Sequence, residues 1–548
     1  MAANEDGSLQ FQGFSRWACC MCVVTFDLEL GQAMEYVFPR DFVLSETEKT
    51  NICYLSFPDS NSGCMGDTQF FFRIRCSGVG CGGSQSAYTF VQPGVQQNLV
   101  PDGAHYYGFS YFRQVKDKGN KRGYFQKSVV LITKLPYTKL FSKVMAIIAP
   151  EYFDNGEISL ESACHDIERW PAPLPSHNLS LPIMGIVVEV RIPAKNDKPA
   201  SVAASPPGAS GPVVLPSVHE TDMYRLLFPV VPFIHLLWEL VLTNEPIAVM
   251  ASSPTICSEI VQALVNSIIP LCYCSDYRPF FTIHDSEFKA YTTKTQEPPP
   301  VILGVTNPFF IKALQHWPHV LRLGEGVYDG KGRKASKSSG SGFYSKPMYK
   351  PYLSRDKLLL QTLSGKDTGQ RRPLDAQNAI LRRHLLELTH TFMIPLERYV
   401  ASLMPLQRHV SPWRALPVLK PFDAEAYLKT VAHAGPQLTT GLKGDWVGLY
   451  RRFMKSPNFY GWLRSRQSEA NAKLRALYVD GICKADVLFW MRDKTEVEIV
   501  DFLLKMKSLL KSTSPEYPLS SKQHQQLISQ MEAMVKRLPE DLRTLLTR

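Results

Sequence analysis

Residues 246–266, PIAVMASSPTICSEIVQALVN, decide the fold class. Pro246–Ala251 is an apolar run of strand length. Ser253-Pro254 then supplies a capping hydroxyl and a first-turn proline, and Ile256, Ile260, Ala263 and Leu264 recur at helical spacing. A strand that hands over at once to an amphipathic helix is the unit of an α/β protein. Further on, Pro298–Pro300 introduces a buried strand, Val301–Val305. Beyond about residue 372 the pattern turns almost wholly helical. Asp423 caps a helix that stops at Gly435-Pro436, Ser456-Pro457 starts another towards Gly481, and Thr495 and Glu498 have capping-box spacing before a run to Leu510.

Upstream the chain is strand-rich. Cys19–Leu30, Thr68–Arg75, His105–Val115 and Ser128–Leu135 are strand-like runs, Met184–Ile192 alternates, and Tyr137–Ala149 is helical. Gly119-Asn120 is a turn pair that makes 113–127 a hairpin with a basic tip. Residues 195–217 carry five prolines among Ala, Ser and Gly and read as a linker. A second irregular stretch, Gly324–Pro351, is rich in Gly, Ser and Lys. The expected fold class is therefore mixed α/β with an all-helical C-terminal part.

The 548 residues suffice for about three domains of roughly 100–200 residues. Hydrophobic residues make up 45% and charged residues 20%, which excludes a mostly disordered chain. The net charge of +11 is concentrated in two segments, 111–127 and 331–350, each with six basic residues. Two loop-like basic patches argue against a nucleic-acid-binding face, which would spread over a fold surface. They fit a solubilising role, or contact with an acidic membrane or protein face through Lys116, Lys118, Lys121 and Arg122 and through Lys331, Arg333, Lys334 and Lys337. The start, MAANEDGSLQ, has no basic n-region, so no secretory signal is expected. Leu226–Leu242 is interrupted by Pro229, Pro232, His235 and Glu239 and reads as a buried element. The twelve cysteines sit mostly in apolar runs, as reduced core thiols of a cytosolic protein do, without disulfides.

Catalytic motifs do not assemble. Gly78–Gly83 matches G-x-G-x-x-G, but no helix opens at its last glycine to face a pyrophosphate. Cys19 and Cys22 have C-x-x-C spacing inside an apolar strand, where alternation turns side chains to opposite faces, so no metal site is expected. His219-Glu220 lacks the second histidine of a zinc protease, and no G-x-S-x-G occurs. His284-Asp285 is the most acid–base-like pair, and its plainer reading is a surface pair in a loop. Arg113 and Arg122 are the candidates for an arginine finger towards a nucleotide.

Several longer strings carry more information. Residues 23–39 (VVTFDLELGQAMEYVFP), 51–68 (NICYLSFPDSNSGCMGDT), 121–135 (KRGYFQKSVVLITKL), 280–293 (FFTIHDSEFKAYTT), 301–310 (VILGVTNPFF), 398–407 (RYVASLMPLQ) and 444–458 (GDWVGLYRRFMKSPN) closely resemble the DENN-domain protein family. The likeness runs over roughly residues 15 to 510 and is weakest at 77–104, 195–217 and 326–346. It implies a bilobed, tripartite module: a longin-like upstream lobe (15–193), a linker (194–217), an α/β core lobe (218–355), a helical downstream part (356–512) and C-terminal helices (513–548). It also implies guanine-nucleotide exchange on a Rab GTPase, expected to be the Rab numbered 14, bound in its nucleotide-free or GDP form. The site of action would be the cytoplasmic face of recycling endosomes. No cofactor and no catalytic residue are implied, because exchange makes and breaks no covalent bond. Two other classes share the fold: a non-catalytic Rab effector or scaffold, and a GTPase-activating protein. In the family the GTPase sits between the upstream and core lobes. The matching segments expected at that groove are Asp27, Glu29 and Gln32 in the first lobe and Thr306, Asn307, Phe309 and Phe310 in the core lobe.

Overall fold

Strand β1 (Cys20–Asp27) is apolar at consecutive positions because both of its faces are covered. The computed structural model describes residues 12–27, 31–59, 65–77, 96–117, 119, 123–195, 197, 211–323, 342–345, 349–364, 372–407, 410–434, 436, 442–511, 520–540 and 542–543. Within them β1 lies between β2 (Gly31–Phe38) and β5 (Tyr124–Thr133), and the sheet continues through β4 (His105–Lys116) to β3 (Gly66–Arg75), antiparallel throughout. Cys20, Cys22, Val24, Phe70, Phe72, Ile74, Val130 and Ile132 face a core shared with the helix Glu46–Leu55. That helix starts at a reciprocal Ser45–Glu48 capping box. On the other face Phe109 packs on Phe141 of the helix Thr138–Asn155, with ring centroids 5.3 Å apart. Gly108 is required where it stands, because a Cβ there would lie 2.2 Å from the ring of Phe72 on the neighbouring strand.

The hairpin expected at 113–127 is present. Lys116 pairs with Tyr124, Asp117 N donates to Gly123 O at 2.9 Å, and Gly123 takes a positive φ of 74°. Most of its basic tip (Lys118, Lys121, Arg122) lies outside the described residues, as does the G-x-G-x-x-G segment. The helix expected at Tyr137–Ala149 runs on to Asn155, through Pro150. A small sheet of β6 (Asn178–Ile183), β7 (Ile186–Arg191) and β8 (Val213–Val214) follows. β8 corrects the linker reading: the end of the proline-rich stretch returns to pair with β7 at Val188 and Glu189.

The second large sheet has the order β10-β11-β9-β12-β13. Its strands are β9 (Ile247–Ala251), β10 (Asp276–Phe281), β11 (Val301–Val305), β12 (His319–Leu323) and β13 (Gly342–Ser345). All neighbours are parallel except β12–β13. The helix Pro254–Asn266 begins where the sequence places it, with Ser253 Oγ accepting from Ile256 N at 3.3 Å. It lies so close to β11 that a Cβ at Gly304 would meet Cys257 Sγ at 2.8 Å. The opposite core holds Phe281, Tyr291, Leu303, Phe310 and Trp317. Met223–Leu242 has the length and apolar character of a membrane span, yet 67% of its most apolar window is buried inside the protein.

The chain divides into two compact units. Both large sheets belong to the first, which comprises residues 1–391 and 437–458. The second, residues 392–436 and 459–548, contains helices joined by irregular stretches such as 410–423, and no strand among the described residues. Its core gathers Tyr478, Ile482, Phe502, Met506, Leu527 and Met534, and Trp413 stacks on Trp490 with centroids 4.7 Å apart. The helix Ala424–Ala434 is capped by Asp423, and the capping box at Thr495 and Glu498 opens Glu496–Lys511.

Candidate functional site

Within the first unit, β3 of the antiparallel sheet meets β10 and the helix Pro254–Asn266 of the parallel one. Phe70 packs edge-on against Phe280 at 5.1 Å, and Thr255 Oγ1 donates to Gln69 O at 2.6 Å. Arg73, buried near the end of β3, is the hub of the junction. Its Nη2 donates to Asp102 Oδ2 at 2.7 Å, its Nη1 binds Asp276, and its guanidinium lies 4.3 Å from the centre of the Tyr277 ring. Arg278 Nη1 returns to Arg73 O at 3.0 Å, and the hydroxyls of Tyr107 and Tyr277 are 2.6 Å apart. Burial alone would raise the carboxyls of Asp102 and Asp276. The hydrogen bonds from His105 and the charge of Arg73, joined at Asp276 by Arg278, outweigh it and hold both well below the usual carboxylate range.

Asp276 opens β10, so this clamp sits at the N-terminal edge of the parallel strands. A second set of contacts between the lobes forms at their C-terminal edge. There Asn51 Nδ2 donates to Ser286 Oγ at 3.3 Å, Tyr54 stacks on His284 at 4.6 Å, and Thr306 Oγ1 donates to Asp59 Oδ2. The Asn307 side chain also bonds Asp59. The Asp59 carboxyl is raised, because desolvation exceeds what Thr306, His284 and Asn307 return. Asp285 is raised too, again chiefly by burial. The same loops expose apolar side chains: Ile283, Ile311 and, at 54% of its surface, Phe309. The C-terminal edge of a parallel sheet is where α/β proteins characteristically place their ligand loops.

Thr306, Asn307 and Phe309 are brought together on this rim. Phe310 is not: it is fully buried between Phe281 and Phe288, so it is a core residue and only Phe309 is available as a surface anchor. Gln32 is half-buried and pairs with Phe26 in the β1–β2 ladder. Asp27 ends β1, with its side chain outside the described residues, as is the whole of Glu29. Of the basic candidates Lys116 is exposed at the end of β4, whereas Lys331, Arg333, Lys334 and Lys337 are outside the described residues. Arg113 is held by Asp67 through paired bonds of 2.7 and 2.8 Å and lies over the Phe153 ring, which occupies the guanidinium a finger would extend. His284-Asp285 is not a surface pair: His284 is exposed, but Asp285 is buried and accepts from Glu287 N at 2.9 Å. Sequence reading missed Asp59 and Arg73. An arginine inside TQFFFRIR was the available signal for the second, since a cation on a buried strand requires a carboxylate partner.

The described residues thus form a mixed α/β frame in which two sheets meet through a charged clamp and leave an exposed apolar rim, and comparison with known proteins specifies the class. The family pattern described as "Transport protein Avl9" matches residues 18–167, and "DENND6 C-terminal domain" matches residues 487–548. The chain is similar to Protein DENND6A of Mus musculus (51% identity, covering 99% of this chain and 92% of that protein). It is also similar to Protein DENND6B of Homo sapiens (50%, covering 97% and 93%) and to the DENND6 homolog of Dictyostelium discoideum (33%, covering 94% and 80%). The chain belongs to the DENND6 family of DENN-domain proteins.

Proposed function

We propose that this protein is a guanine-nucleotide exchange factor for a Rab GTPase, the Rab numbered 14 being the expected substrate, and that it acts on the cytoplasmic surface of recycling endosomes. The observation that carries the reading is the rim at the C-terminal edge of the parallel sheet. Contributions from both lobes meet there at Asp59–Thr306, beside the exposed Phe309. In this reading the antiparallel sheet with its flanking helices is the longin-like lobe, and the GTPase docks across the rim.

Exchange then follows from differential binding. A surface that binds the nucleotide-free GTPase more tightly than the loaded form lowers nucleotide affinity by the same factor, since the coupling is reciprocal. Each tenfold acceleration drawn from that difference requires about 1.4 kcal/mol. An aromatic anchor and a set of buried-rim hydrogen bonds are the groups that supply such differences at protein interfaces. The clamp beneath fixes the spacing of the lobes, so binding energy is not spent on ordering them.

The test is release of a fluorescent GDP analogue from a panel of Rabs. Acceleration of one Rab, with tightest binding to its empty form, supports exchange. Preference for the GTP form would identify an effector, and preference for the hydrolytic transition state an activator. Recruitment through the basic segments would appear as binding to anionic vesicles that weakens steeply with salt and with joint neutralisation of Lys331, Arg333, Lys334 and Lys337.

A further inference from the structure

We infer that His235, Asp356 and His384 form a binding site for a borderline divalent metal ion of the zinc type, away from the rim and independent of the exchange reading. The three residues come from separate parts of the first unit. His235 lies at the start of the helix Ile234–Leu242, Asp356 just before Lys357–Ser364, and His384 on the helix Leu374–Ser402. Each offers a ligand atom, and these atoms all lie within 4.8 Å of one another.

The geometry fits a shared ion. His235 Nε2 and His384 Nε2 are 3.0 Å apart, with their rings nearly perpendicular at 85°. At a zinc–nitrogen distance of about 2.0–2.1 Å that separation subtends roughly 95°, between the octahedral and tetrahedral angles, so small side-chain rotations reach either. Two imidazole nitrogens facing each other at this distance, with a carboxylate within 4.8 Å of both, are disposed either for one hydrogen bond or for a shared ion. His235 Nδ1, on the far side of its ring, is buried with no hydrogen-bond partner among the described residues in either case. Both histidines are buried, and the half-buried Asp356 gives an ion a route from solvent.

Asp356 is also fixed in position. Its Oδ1 accepts from Leu358 N at 2.9 Å and Leu359 N at 3.1 Å, which leaves its second oxygen for a ligand. Glu387, three residues on from His384, adds negative charge nearby, although its carboxylate is paired with Arg383 Nε at 2.8 Å. Two imidazoles and one carboxylate favour zinc, cobalt or nickel over magnesium or calcium, which require oxygen-rich shells. An ion here would add a further tie between segments already joined by Trp238 Nε1–Thr389 Oγ1 at 2.9 Å and Gln377 Nε2–Leu363 O at 2.8 Å. No spacing motif announces the set, since His235 and His384 are 149 residues apart.

The experiment uses the full-length protein, stripped with a chelator and titrated with cobalt(II) and with zinc, with magnesium in parallel. The expected result is one cobalt per chain with visible absorption bands, displaced by zinc but not by magnesium, and a melting temperature that rises with either transition metal. His384→Gln removes a ligand, while Asp356→Asn keeps a carbonyl to accept from the helix N-terminus and so preserves the fold. Each is expected to weaken cobalt binding by at least about tenfold, with the metal-free melting temperature of Asp356→Asn unchanged. Substoichiometric uptake, displacement by magnesium, or equal binding by the parent and both variants would overturn the assignment.

Discussion

At the Arg73 end of the junction between the two sheets, Asp102 and Asp276 are held well below the usual carboxylate range, whereas at the rim Asp59 and Asp285 are raised from the ordinary value. Both pairs lose hydration; what differs is how far the partners offset it, since Arg278 also lowers Asp285 but less than burial raises it. Arg73 and Arg278 bring full positive charge to the first pair. Asp59 accepts from the neutral donors Thr306 and Asn307 with His284 nearby, and desolvation still outweighs what these return. One end is electrostatically complete and fixes the lobes. At the other, desolvation is under-compensated, so the charged carboxylates are disfavoured. The proposed docking surface lies at this second end, and Asp59→Asn tests whether its charge takes part.

The largest expected effect comes from breaking the complete end. Arg73→Met removes the charge that Asp102 and Asp276 share and leaves them only His105 and Arg278; removing one partner of a buried ion pair typically costs about 3–5 kcal/mol, an upper figure here. Denaturant unfolding of the first unit should show a loss of up to that size at pH 7. The deficit should shrink on acidification. With Arg73 in place, the depressed pKa values of Asp102 and Asp276 contribute stability that is fully present above the unfolded-state value of about 3.9 and is lost as pH falls through the folded-state values. The variant keeps only the part supplied by His105 and Arg278, so it has less to lose. An equal deficit at pH 7 and at pH 3 would show that Arg73 acts through packing on Tyr277 instead.

The neighbouring phenylalanines separate core from surface at nearly the same place. Phe310→Ala opens a cavity between Phe281 and Phe288 and should destabilise by about 3–5 kcal/mol. Phe309→Ala should leave the melting temperature almost unchanged and reduce nucleotide exchange tenfold or more, as the loss of an interface hot spot worth about 2 kcal/mol does. Normal exchange by Phe309→Ala would remove this side chain from the docking surface.

How much of this could be read beforehand follows from the range of the interactions. β11 was legible to the residue, because a parallel strand covered on both faces is an unbroken apolar run bounded by turn signals. The cap at Ser253, the capping box at Thr495 and the hairpin turn were legible because their chemistry is complete within four to ten residues. Arg73 and Asp276 are 203 residues apart, and Asp59 and Thr306 are 247 apart. No local pattern encodes such pairs, so half of the rim stayed hidden even though the Thr306–Phe309 turn was named. The fate of Phe310 was hidden for a related reason: the short helix Phe310–Ala313 turns it inward, and a Pro-Phe-Phe string does not say which ring goes in.

The smallest expected effect on stability tests the under-compensated end directly. Asp59→Asn keeps a carbonyl that accepts from Thr306 Oγ1 and removes only the charge. A carboxyl whose folded-state pKa is raised binds its proton more tightly in the folded than in the unfolded protein. The charged form therefore lowers stability, progressively so as pH rises from about 3.9 through the folded value. Asn has no charge to bury, so the variant should be at least as stable as the parent at pH 7, by a fraction of a kcal/mol after discounting for the solvent at the rim. Its advantage should disappear near pH 3.5, which is the opposite sign to the pH response of the clamp. Exchange assays then decide what the charge is for. If a basic side chain of the GTPase completes Asp59, exchange by Asp59→Asn falls and loses part of its salt dependence while the fold gains slightly. If exchange is unchanged, the carboxylate serves only to join the lobes, and the functional part of the rim contracts to Phe309 and its apolar neighbours.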